Sequence, residues 1–159
     1  MSKRHKRRDY WDDPHAPKPT NRKASASVLV RDAEGRVLLL CRPDNGLWTI
    51  PTGSVKRNET VPQAAIRECR EETGVDVEIL GIVGVFSDPR HVVEYGDGEV
   101  RQPINICLRA RPVGGEPTRT AEASAVEWVT QGDIDGYDIH PAIRLRIAHG
   151  LSSDAPHIG

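Results

Sequence analysis

Three glutamates, Glu68, Glu71 and Glu72, stand at positions i, i+3 and i+4. On an α-helix, at about 100° per residue, that spacing gathers them within an arc of roughly 100°. The neighbouring residues predict such a helix over Val61–Thr73. Thr60 and Gln63 have the spacing of a capping box, Pro62 falls in the first turn, where its missing N–H is tolerated, and Gly74 supplies the stop. Pro62, Ala65, Ile66, Cys69 and Thr73 occupy the adjoining arc and are expected to pack on a sheet, which puts the acids at the margin of the core. Like charges four residues apart repel by about 0.2–0.5 kcal/mol. Arg67 can offset Glu71, but Glu68 and Glu72 have no basic residue at those helical spacings. A divalent cation would compensate them. Oxygen donors without histidine or thiol favour Mg²⁺, with Mn²⁺ as a substitute, and Mg²⁺ commonly bonds substrate phosphate as well. On spacing alone, a solvated acidic helix face is the other reading.

The wider stretch decides between them. Residues 53–75 read GSVKRNETVPQAAIRECREETGV. This resembles the Nudix hydrolase signature: glycine, five residues, glutamate, seven residues, then R-E-U-x-E-E-x-G-U, with U a bulky aliphatic residue. Gly53, Glu59, Arg67, Glu68, Glu71, Glu72 and Gly74 match. At residue frequencies near 7%, seven fixed matches at one start have a chance probability on the order of 10⁻⁸. Two departures stand out: Cys69 replaces an aliphatic residue, and Pro51-Thr52-Gly53 replaces the commoner Pro-Gly-Gly, with Lys56-Arg57-Asn58 where the loop often carries a glutamate.

The resemblance implies an α/β/α sandwich around a mixed β-sheet, with a catalytic loop-helix-loop. It implies that Glu68, Glu71 and Glu72 bind Mg²⁺ with the Gly53 carbonyl as a further ligand, and that Glu59 and Arg67 pair to hold the loop in shape. The activity implied is hydrolysis of the diphosphate in a nucleoside diphosphate derivative, of ADP-ribose or nucleotide-sugar type, or of a nucleoside triphosphate, by metal-activated water. Glu68 and Glu122 are both candidates for the general base. Arg42, Trp48, Arg90 and Tyr95 are candidate substrate contacts, with the 88–101 loop, which also carries His91 and Arg101, as the place to look for specificity. Homodimers are common among relatives.

Stepping outward from the helix, Ala24–Arg31 and Arg36–Arg42 are apolar runs either side of Asp32-Ala33-Glu34-Gly35, the pattern of a β-hairpin. Leu47–Ile50, Val75–Val85, Gln102–Ala110 and Ala125–Val129 read as further strands, and Ile139–Leu151 as a second helix. One helix lodged between strands indicates α/β or α+β layering.

The 159 residues fit one domain. At 37% hydrophobic and 28% charged residues the core must be modest. No run approaches the ~20 apolar residues of a membrane-spanning helix, so a cytoplasmic location is expected. Cys41, Cys69 and Cys107 are odd in number and set among apolar residues, the pattern of reduced core thiols. Lys3, Arg4, Lys6, Arg7 and Arg8 form a basic cluster; without it the balance is 17 basic against 23 acidic residues. With the prolines that follow, residues 1–23 are expected to form a flexible arm, 24–151 the folded domain and 152–159 a tail. The arm keeps two alternatives open: an RNA 5′-end pyrophosphohydrolase, or a non-catalytic module of the same fold that senses a ligand or binds nucleic acid. A small nucleotide is the favoured partner.

Overall fold

The computed structural model describes residues 7–20 and 23–159. In chain order the elements are β1 (Arg8–Trp11), β2 (Ala24–Val30), β3 (Val37–Cys41), β4 (Trp48–Thr49), β5 (Thr52–Ser54), α1 (Val61–Thr73), β6 (Val75–Phe86), β7 (His91–Glu94), β8 (Val100–Arg101), β9 (Ile104–Gly115), β10 (Ala125–Val129), α2 (Pro141–Ser152) and β11 (His157–Ile158), with a short 3₁₀ turn at Gln131–Gly136.

The inner strands are apolar on both faces, and the period of two sorts their side chains into two cores. Ala26, Val28 and Val30 of β2 and Leu38 of β3 enter one apolar cluster, which α1 covers with Ala64, Ala65 and Cys69. Leu29, Val37 and Leu39 enter the other, which α2 covers with Ile143 and Ile147. Helix, strands and helix therefore form an α/β/α sandwich. Its largest sheet has the order β11-β6-β9-β2-β5 and is mixed: β2 runs parallel to β9, while β6 is antiparallel to β9 and β5 to β2. Two smaller antiparallel sheets, β10-β3-β4 and β1-β7-β8, complete it.

Helix α1 has the boundaries its caps predict. The Thr60 side chain accepts from the Gln63 N–H, the Gln63 side chain accepts from the Thr60 N–H, and Gly74 closes the helix at φ 78° with its N–H on the Arg70 carbonyl. That φ is one glycine adopts without steric cost. The inward arc is rotated from the expected one: Ala64, Ala65, Cys69, Glu72 and Thr73 are buried, while Pro62 is exposed.

Four other expectations need correction. The turn at 32–35 forms, with Asp32 accepting from the Arg36 backbone and side chain, but β2 and β3 share only the Arg31–Val37 bridge before joining different sheets. The 88–101 loop contains the β7–β8 pair. The start of order is not near Ala24, because Arg8–Trp11 pair antiparallel with His91–Glu94, and the arm's Lys3, Arg4 and Lys6 lie outside the described residues. The tail also joins the sheet, since His157 and Ile158 pair with Gly84 and Val85. Strands of two to four residues carry too little pattern to show in sequence; β1, β7 and β11 are made by partners far along the chain, and β8 by its neighbour β7. Cys69 and Cys107 are buried free thiols, and Cys41 is half-buried. Among the described residues, no helix is long and apolar enough to cross a membrane.

Candidate active site

Arg67 organises the site from the middle of α1. Its Nε and Nη2 fork onto Glu59 at 2.6 and 2.9 Å, Nη2 also donates to the Ser54 carbonyl at 3.0 Å, and Nη1 donates to Glu68 at 2.8 Å and Glu71 at 3.3 Å. One planar cation thus ties the 54–59 loop to the helix, as a guanidinium does and an ammonium does not. Hydrogen bonding from Arg67 holds the Glu59 carboxyl down to about 2. The link to Glu68 was not legible in the helical spacing, because adjacent residues do not face each other; the length of the arginine carries its head back across the turn.

Gly53 makes room for Glu68. A Cβ added at Gly53 would lie 2.1 Å from Cδ of Glu68, so any side chain there would drive the carboxylate out of place. The backbone beside it acts too: the Thr52 N–H donates to Glu72 Oε1 at 3.0 Å. Glu72 is 4% exposed and forms no salt bridge among the described residues. Burial, then the nearby Glu68 charge, raises its carboxyl well above the ordinary range, and burial also raises Glu68. A carboxylate buried beside other carboxylates without a cation is costly, and that cost motivates a bound cation.

Glu122 arrives from the loop before β10. The Thr120 hydroxyl donates to the Glu72 carbonyl at 3.0 Å and accepts from the Glu122 N–H at 3.2 Å, which anchors the loop to the end of α1. Carboxylate oxygens of Glu68, Glu71 and Glu122 consequently lie within 4.8 Å of one another. Glu72 is not one of this group, though the Glu68 and Glu122 charges act on it; the all-oxygen donor set of the three fits a hard divalent ion.

A cavity of about 290 Å³ is lined by two of these acids, Glu72 and Glu122, with Thr52, Arg42, Tyr95 and Arg7 among others. Two of the four expected substrate contacts, Arg42 and Tyr95, are therefore at the cavity; Arg42 forks onto Asp44 at 3.1 and 2.9 Å. The other two are elsewhere. Trp48 packs edge-on against Tyr137, centroids 4.9 Å apart, because it belongs to the apolar cluster under α2. Arg90 pairs with Asp88 at 2.6 Å and covers the Trp11 ring, and it lines a separate surface cavity.

Arg7 was missed, having been read with the basic arm. It forks onto Asp9 at 2.9 Å through both Nε and Nη2, and Asp9 in turn bonds His91 Nε2 at 2.9 Å. Asp9, His91 and His140 lie close enough to suggest a second metal cluster. However, both Asp9 oxygens serve Arg7, and His140 Nδ1 caps α2 by accepting from the Ala142 N–H, so the group functions as a brace for Arg7. Burial pushes His140 down to about 4 and lowers His91 as well, keeping both neutral.

Comparison with known proteins agrees with this geometry. The NUDIX domain family matches residues 21–147. A MutT-like protein of Streptomyces ambofaciens is 29% identical over 140 residues, 88% of this chain and 83% of that protein. An ADP-ribose pyrophosphatase of Methanocaldococcus jannaschii is 36% identical over 101 residues, 61% of this chain and 56% of that protein. Among solved structures, a NUDIX hydrolase from Nitrosomonas europaea superposes with a TM-score of 0.71 at 26% identity, covering 91% of this chain and 80% of the other.

Proposed function

Since the chain belongs to the Nudix family and is a hydrolase of phosphorus-containing acid anhydrides, we propose that it cleaves the diphosphate of a nucleoside diphosphate derivative in a Mg²⁺-dependent reaction. The observation that carries this reading is the convergence of Glu68, Glu71 and Glu122 beside a cavity that Glu72 and Glu122 line together with Arg42 and Arg7. Glu68, Glu71 and Glu72, with the Gly53 carbonyl, would hold the ion. When bound, it neutralises charge on the phosphoryl oxygens and lowers the pKa of the attacking water.

The chain's own groups then have distinct tasks. Glu68 is pinned by Arg67, whereas the Glu122 carboxylate has no hydrogen-bond or ion-pair partner among the described residues, which makes Glu122 the better acceptor for the proton of the attacking water. A P–O bond forms to that water as the bridging P–O bond breaks, releasing a nucleoside monophosphate and the phosphorylated remainder. Arg42 and Tyr95 would position the substrate. Arg67 and Glu59 keep the loop and helix in one geometry throughout.

A panel of ADP-ribose, nucleotide sugars and nucleoside triphosphates, assayed for monophosphate release with and without Mg²⁺, tests the proposal. Turnover of at least one compound only with the ion is expected; release indifferent to Mg²⁺, or from none, overturns it.

A further inference from the structure

Beside the acid-lined cavity, and sharing Arg7, Thr52 and Tyr95 with it, lies a smaller one of about 70 Å³. Its walls carry Arg7, Lys23, Arg101 and Arg146 and, among the described residues, no acidic side chain. Arg7 is balanced by Asp9, and Arg101 forks onto Glu99 at 2.7 and 3.0 Å. Lys23 and Arg146 are not balanced: neither forms a salt bridge among the described residues. With His91 neutral, the cavity carries an excess of two positive charges.

Arg146 is the more telling of the two. It projects from α2 and is 4% exposed, yet its Nε has no hydrogen-bond partner; the recorded contact of its guanidinium is with the Phe86 ring, at 5.8 Å. Burial lowers it only to about 10, so it stays charged at neutral pH. A buried guanidinium nitrogen without a partner, on a side chain that forms no salt bridge among the described residues, is rare because its desolvation goes uncompensated. It is an expected feature of a site that awaits an anion. Hydroxyls of Ser25 and Ser54 and the Tyr95 phenol add polar groups around it. The volume is several times the roughly 10–15 Å³ that one water needs and far below the roughly 300 Å³ of a typical small-ligand pocket. It suits a tetrahedral anion and not a nucleoside.

We infer that this cavity is a subsite for a second phosphate group of the substrate, one outside the scissile diphosphate, so that the preferred substrates are phosphoanhydrides bearing an additional terminal or monoester phosphate. The inference rests on the proposed hydrolysis for its catalytic meaning, but binding at the subsite stands apart from it.

Binding is therefore measured first, by titrating inorganic phosphate into the full-length protein without divalent ions. R146M, which keeps the aliphatic stem and removes the charge, should weaken phosphate binding about tenfold or more, as loss of a charge-assisted bidentate contact does. Lys23 is exposed, so K23A does not threaten the core; it should weaken binding about threefold by the loss of one charge. Phosphate affinity unchanged in both variants overturns the subsite. Kinetics with Mg²⁺ then identify the source of the phosphate, using dGTP against dGDP and coenzyme A against dephospho-coenzyme A. In at least one pair, kcat/KM should favour the more phosphorylated member about tenfold, with R146M bringing the ratio toward one. Turnover with ratios near one in both pairs, for parent and variants alike, overturns the inference and leaves the hydrolase reading intact. Phosphate binding that depends on Arg146, with no Mg²⁺-dependent turnover of any compound, sustains the subsite and overturns the hydrolase reading.

Discussion

The acidic and basic halves of the cleft are built in opposite ways. Glu68, Glu71 and Glu72 come from one turn of α1, with Glu122 added by a single loop. Arg7, Lys23, Arg101 and Arg146 come from four segments spread over the chain, and three of them are placed by tertiary pairing: Arg7 by its fork onto Asp9 of the β1–β7 ladder, Arg101 by β8, Arg146 by the packing of α2; Lys23 stands just before β2. The acids can be spaced by helical geometry alone, whereas the cations depend on the whole fold. The half that would perform chemistry is local, and the half that would select among substrates is not.

The largest effect should come from the acidic half. Glu72→Gln keeps the shape and the bond from Thr52 while removing the possibility of charge; Mg²⁺-dependent turnover should fall about 10³-fold by steady-state kinetics, while urea titration without Mg²⁺ should show no loss of unfolding free energy, because a buried carboxylate is replaced by a neutral amide. Equal rates would remove Glu72 from the catalytic set. Gly53→Ala comes next, because its methyl group would overlap Glu68. Turnover should drop about 10²-fold with about 1–3 kcal/mol of destabilisation, and a variant with parental rate and stability would show that Glu68 needs no such space. Arg67→Lys retains charge but cannot fork, so a loss of about 2 kcal/mol in thermal or urea unfolding is expected. A negligible loss would mean the loop is held otherwise.

The smallest effect probes the basic half. His140 is depressed to about 4 in the fold and titrates at 6.5 when unfolded, so between those values the unfolded chain binds the extra proton and stability falls as pH falls. Glu72, raised in the fold, has the opposite slope. His140→Asn keeps an N-capping acceptor without titrating, and the difference between parent and variant isolates the histidine. From pH 7.5 to 5 the parent should lose about 1 kcal/mol more than the variant, after discounting for partial exposure. Parallel stability profiles would place His140 outside the brace behind Arg7.

This contrast also explains what could be read in advance. Helix α1, its caps and the strands β2, β3 and β10 follow from patterns within a dozen residues, and the structure reproduces them; the Glu59–Arg67 pairing, implied by the family resemblance, is present as well. Trp48 was ambiguous because an aromatic flanked by loop and strand serves a core or a ligand equally well; only its contact with Tyr137 distinguishes them. Arg7 stood among five cations with no apolar alternation near it, and nothing local separates a solvated arginine from one that forks onto Asp9 of a strand whose ladder partners lie more than 80 positions away. Arg146 sits among the apolar residues of α2, where a charged side chain is the anomaly that could have drawn notice.

The pairing of β1 with β7 has a temporal consequence. Asp9 and His91 are 82 residues apart, so a chain emerging from the ribosome exposes its first strand long before the partner is made. Helix α1 can form as soon as it is synthesised, but the wall carrying Arg7 must wait for closure of a long loop, whose entropy is recovered only once the strands meet. The acidic corner should thus be assembled early and the cavity sealed late, and amide protons of residues 8–11 should exchange with solvent sooner than those of β2 and β9.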